Sequence, residues 1–210
     1  VSFLVLSVSG VSALFCLLVG LFLPVRCTVN FFDCDPFNPF GLMQRRIVSI
    51  FQVARLLPSR SSVENVMLPG EILGTPSGVS RQQAKTLLMQ FGLRDFEHSR
   101  PSELSGGMRQ RVAIARALIS DPDILLADEA FGHPDEATAE KLRDDFRSIA
   151  KAGGKTVLHV THSIDEAVKL SDKIMVLGRP GRLINVYDNH LKHHSGVLRQ
   201  KIAADLRSDT

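Results

Sequence analysis

Apolar and polar positions along this chain fall into short apolar runs separated by stripes of helical spacing, the pattern of a sheet covered by helices. Ile124-Leu125-Leu126-Ala127 is a continuous apolar run, as expected of a parallel strand buried on both faces. Arg46 to Phe51, Thr156 to Val160 and Lys173 to Leu177 read as further strands. Between them, Met108, Val112, Ala115 and Ile119 recur near helical spacing, as do Leu142, Phe146, Ile149 and Ala150. Asp121-Pro122 and Gly153-Gly154 end these two helices. Another helix carries Ala84, Leu87, Leu88 and Phe91 before Gly92, with a capping box predicted from Ser80 and Gln83. Ser163 with Glu166 predicts a second capping box. The tail 183 to 210 is polar, with a short helix expected around Val197 to Leu206.

The start of the chain is different. Val1 to Val25 carries no charge and is long enough to span a bilayer, so composition alone favours a membrane or signal segment. It lacks the basic region that opens a signal peptide, and the first charge is Arg26. Thr28 to Phe31 alternates like a half-buried strand, whereas Asp33 to Pro39 is turn-rich. At 210 residues there is room for one core, or a core with a small lobe. A net charge of +3, with basic residues scattered among acids, is too mild to argue for a nucleic-acid partner, and none is expected. The three cysteines form no CxxC pair, so neither a zinc site nor a disulfide framework is indicated, and a reducing compartment fits. The chain begins with Val1 instead of Met, which suggests that a piece is missing at its N-terminus.

Two features carry phosphate chemistry. Ser105-Gly106-Gly107 stands where a helix begins, and backbone N–H groups at a helix N-terminus attract anions that glycine lets approach closely. The strand 124 to 127 ends in Asp128 and Glu129, and strand ends in open α/β sheets face the ligand crevice. One acid is suited to hold Mg²⁺ and the other to orient water.

At these residues the chain resembles the nucleotide-binding subunit of ABC transporters. LSGGMRQR at 104 to 111 is similar to the family's signature motif, and ILLADE at 124 to 129 to its Walker B strand with catalytic glutamate. SIDEAVKLSDKIMVLGRPGRL and DEAFG look most like the branch importing nitrate, sulfonates or taurine. The resemblance implies an α/β fold: a P-loop NTPase core with a mostly parallel sheet, and a small α-helical subdomain carrying the signature. The core would comprise residues 1–56 and 108–210, and the subdomain 57–107.

It also implies a second reading of the apolar start: a strand at Val1 to Leu6, a phosphate loop at Ser7 to Ser12 and a helix at Ala13 to Leu21. That loop is degenerate, because Val5 stands where the first glycine belongs and Val11 where the lysine belongs. By resemblance, Ser9, Gly10, Ser12, Ala13, Ser105, Gly106, Gly107 and Asp135 bind nucleotide. Ser12, Gln52 and Asp128 hold Mg²⁺, and Glu129, His162 and Gln52 act in catalysis. Ala130 replaces the proline usual after the glutamate, and His133 reads as an exposed loop residue rather than a metal ligand. His159, inside a strand, reads as core. The implied cofactors are ATP and Mg²⁺. The implied partners are a second ATP-binding subunit, a transmembrane permease subunit and, indirectly, a solute-binding protein, on the cytoplasmic face of the membrane. A catalytically silent subunit that only binds partners, and a protein anchored by a helix at 1 to 25, are the alternatives.

Overall fold

The computed structural model describes residues 2–5, 16–17, 22, 47–131, 136–178, 182–189 and 195–208. Ser9, Gly10, Ser12, Ala13, the 28–31 strand, His133 and Asp135 lie outside them. The chain divides into two compact units, the first comprising Val1–Ile47, Leu126–Glu129 and Thr156–Thr210, the second Val48–Leu125 and Ala130–Lys155.

In the first unit the apolar start of the chain is used as a strand. β1 (Ser2–Val5) lies parallel to β4 (Thr156–Thr161) on one side and to β5 (Lys173–Gly178) on the other, with Leu4 opposite both Thr161 and Val176. Ser2–Val5 is therefore strand, where a membrane helix at 1 to 25 would require helix. The order is β3-β4-β1-β5-β6, where β3 is Ile124–Asp128 and β6 is Arg182–Asp188, antiparallel to β5. Four consecutive buried residues, Ile124 to Ala127, explain the uninterrupted apolar run of β3. The core of this unit joins Ile174 and Val176 of β5 to Ala167 and Val168 of α5 (Ile164–Leu170) and Ile202 of α6 (Ser195–Ser208).

β6 falls within the tail read as polar. Among the described residues it pairs with β5 alone, and Leu183 and Val186 are about half exposed, so no clean alternation marks the strand. Tyr187 ties it to α6: its hydroxyl donates to Asp205 Oδ2 at 2.6 Å. Burial first, and then this carboxylate, push the phenol up to about 12.

The second unit is mainly helical, with Val48–Phe51 of β2 (Ile47–Phe51) as one of its extended segments. α1 (Ser62–Ile72) starts at a full capping box between Ser61 and Glu64 and continues through Pro69. α2 (Ser77–Gln90) starts earlier than its expected cap at Ser80, which is instead buried inside the helix. The reason lies in packing, since Ser80 meets α1 at Gly70, where an added Cβ would come within 2.5 Å of Ser80 Oγ. α3 (Gly106–Leu118) packs on α1 and α2. α4 (Glu136–Ala152) buries Leu142, Phe146 and Ala150, with the Phe146 ring 4.9 Å from that of Phe131.

Candidate nucleotide site

The first unit brings three acid–base groups together at strand ends. Asp128 closes β3, and Glu129 follows with φ 47°, left-handed backbone that a residue with a Cβ adopts only at a cost. The Glu129 N–H donates to the Val160 carbonyl of β4 at 3.0 Å, which holds the turn. His162 follows the end of β4, and its Nδ1 lies 3.1 Å from Glu129 Oε1. His162 is exposed and Glu129 half-buried, so the pair faces solvent where a substrate can reach it. Burial, and then the charge of adjacent Glu129, push the Asp128 carboxyl above the usual range. Two neighbouring carboxyl groups suit a cation, and their oxygen donors match Mg²⁺ chemistry. His159 is buried as expected, with Nε2 at 3.7 Å from Glu166 Oε2.

The second unit carries Leu104 to Arg111, the stretch similar to the signature motif. Ser105 is the N-cap of α3, and its Oγ accepts from the Met108 N–H at 3.2 Å. Ser105 and Gly106 are exposed, while Leu104 before them is buried and anchors the turn. The first N–H groups of α3 have no acceptor within the helix, which makes its start receptive to an anion.

Gln52 follows β2 and is exposed. The segment beyond it is braced. Arg116 of α3 donates to the carbonyls of Ala54 at 2.8 Å and Arg55 at 3.0 Å, and the buried Asn65 of α1 donates to those of Leu57, Arg60 and Ser61. Gln110 of α3 was not apparent as a site residue from its sequence. Its Nε2 donates to the Phe51 carbonyl at 3.0 Å and to the Ala130 carbonyl at 2.9 Å. One buried amide thus fixes the backbone beside Gln52 and the residue that follows Glu129. Its one sequence signal was a polar residue three positions before Ala113 and four before Ile114, on a helix face that is otherwise small or apolar.

Among the described residues no group of three His, Cys, Asp or Glu side chains is arranged to hold a metal by itself. No helix among them is long and apolar enough to cross a membrane.

Comparison with known proteins decides the family. A family model described as "ABC transporter" matches residues 7–132, more than half of the chain. The chain belongs to the ABC transporter family. The ATP-binding protein MJ0412 of Methanocaldococcus jannaschii, uncharacterised but named as an ABC transporter component, is 45% identical over 135 residues, 64% of this chain and 51% of that one. The taurine import ATP-binding protein TauB of Rhizobium johnstonii is 44% identical over 140 residues, 66% of this chain and 53% of that one. The lipoprotein-releasing system ATP-binding protein LolD of Syntrophus aciditrophicus is 41% identical over 156 residues, 72% and 70% of the two chains. The aligned part thus covers about half the length of MJ0412 and TauB. A solved dimeric structure of the ATP-binding cassette MJ0796, in a post-hydrolysis state with ADP and Pi, matches with TM-score 0.76 and 30% identity, over 90% of this chain and 84% of that one. The fold is that of an ABC-type P-loop NTPase, with a mixed α/β layout and a parallel sheet.

Proposed function

We propose that this chain is the ATP-binding, energy-coupling subunit of an ABC importer, hydrolysing ATP at composite sites formed by two copies. The supporting observation is the His162–Glu129 pair, 3.1 Å apart at neighbouring strand ends beside Asp128. In this reading the phosphate loop, with Ser9, Gly10, Ser12 and Ala13, holds one nucleotide, and Asp135 contributes to nucleotide binding. Ser105, Gly106 and Gly107 cover the nucleotide held by the other copy. Asp128, Gln52 and Ser12 are the oxygen donors for Mg²⁺, which when bound neutralises charge on the β and γ phosphates.

Glu129 then orients the attacking water and accepts its proton, while the water oxygen bonds to the γ-phosphorus and the bond to the β-phosphate oxygen breaks. His162 holds Glu129 and faces the γ-phosphate. Residues 57–107 form the helical subdomain that carries the signature, and residues 1–56 and 108–210 the core. The segment after Gln52, with Leu56 and the exposed Leu57, receives a permease subunit, so that the chain works peripherally on the cytoplasmic membrane face and is linked indirectly to a solute-binding protein. The resemblance of residues 163–183 to the nitrate, sulfonate and taurine branch, together with the relative TauB, supports a small anionic or zwitterionic solute.

The test is Glu129→Gln. It should lower turnover on the order of 10²-fold or more, as expected when one preorganised group is removed, with nucleotide affinity unchanged. An unaltered kcat would show that Glu129 is not the base.

A further inference from the structure

His162 is flanked by two residues that one buried polar cluster holds. Thr161, which ends β4, is buried, and its Oγ1 accepts from the Ser163 N–H at 3.1 Å while donating to Glu166 Oε2. Glu166 is only 6% exposed. Its Oε2 also lies 3.7 Å from Nε2 of the buried His159, and its own N–H donates to Ser163 Oγ at 3.3 Å. Ser163 already caps α5, so an inward carboxylate is not needed to start that helix. An apolar side chain in its place would avoid the desolvation cost of a buried acid. A buried acid bonded to the residue just before His162 bears directly on the neighbouring site. Its contribution there is order. The His162 side chain is 74% exposed, and an imidazole so free in solvent loses rotamer entropy when it is held at one carboxylate. Pinning the backbone on both sides removes part of that freedom beforehand.

We infer that Glu166, acting through the Thr161 hydroxyl, is a positioning residue that holds His162 against Glu129. The inference rests on the reading of Glu129 and His162 as a working pair, and it deepens that reading by adding the residues that aim the histidine.

The test uses the full chain labelled with ¹⁵N-histidine, and it reads the His162 ring signals by NMR at one fixed pH, so it needs no turnover. Glu129→Gln is introduced into the parent, Thr161→Val and Thr161→Ser. In the parent and Thr161→Ser, both of which keep a hydroxyl, Glu129→Gln should displace the His162 ring signals. In Thr161→Val the same change should displace them by less than half as much, because the contact is already loosened. A merely structural role for Thr161 would shift the melting midpoint and leave the response to Glu129→Gln intact. If Thr161→Val does not fold, Thr161→Ala serves in the same comparison. Equal displacement in all backgrounds, or none in the parent, overturns the inference. Loss of the functional reading shows separately, as unaltered hydrolysis by Glu129→Gln.

Discussion

Glu129 combines a chemical group with a backbone conformation that works against it. A non-glycine residue at φ 47° carries strain of roughly 1–3 kcal/mol, and the bond from its N–H to Val160 is one of the contacts that offset it. The acid was legible in the sequence because two carboxylates end a purely apolar run, a placement with no packing explanation. Its positive φ was not, since nothing in the residue type announces it. Asp128 gives a prediction about pH. Its carboxyl is pushed up on folding, so between the ordinary aspartate value and the raised one the folded chain binds more protons than the unfolded chain. Stability therefore falls as pH rises through that window. Asp128→Asn removes the penalty. Without Mg²⁺ it should be more stable than the parent at pH 7, by at most about 1 kcal/mol because solvent screens a partly buried group. At pH 3, where the acid is protonated in both states, the gain should shrink. Urea unfolding at both pH values checks this, and an equal gap at both would contradict the electrostatic origin.

The helix that opens with the signature, α3, links most of the second unit's candidate site. Its start was legible, because a glycine pair before a helical stripe marks where a helix begins; that Ser105 caps it is visible in the structure alone. The start of α2 was misread at Ser80, because a capping pattern in the sequence cannot tell a cap from a buried serine packed against a glycine of another helix. Gln110 escaped notice for a related reason: its partners, Phe51 and Ala130, are distant in sequence. Gln110→Leu leaves both carbonyls without this donor. Each loss costs about 1–3 kcal/mol when fully buried and less when partly wet, so the substitution should destabilise the chain by about 1–3 kcal/mol. Urea midpoints of parent and variant measure it. A change below about 0.5 kcal/mol, the ordinary range of a neutral surface substitution, would show that the two bonds do little.

For the molecule as a whole, the family resemblance implied an α/β P-loop core, the apolar runs and helical stripes are consistent with it, and the fold of the chain agrees. β6 was not legible, because most of its residues are exposed and so carry no alternation of apolar and polar positions. The apolar start was ambiguous for a physical reason. A strand flanked on both sides in a sheet and the first turns of a membrane helix have the same composition, and only the pairing of Ser2–Val5 with β4 and β5 separates them. The central claim is that two copies together build the nucleotide site, with the signature of one covering the phosphates held by the other. Sedimentation velocity of the Glu129→Gln chain, which should retain nucleotide, tests it most directly. The account predicts monomer in buffer and a shift to dimer on adding Mg-ATP, reversed by removing the nucleotide. The same monomer fraction with and without Mg-ATP would contradict it.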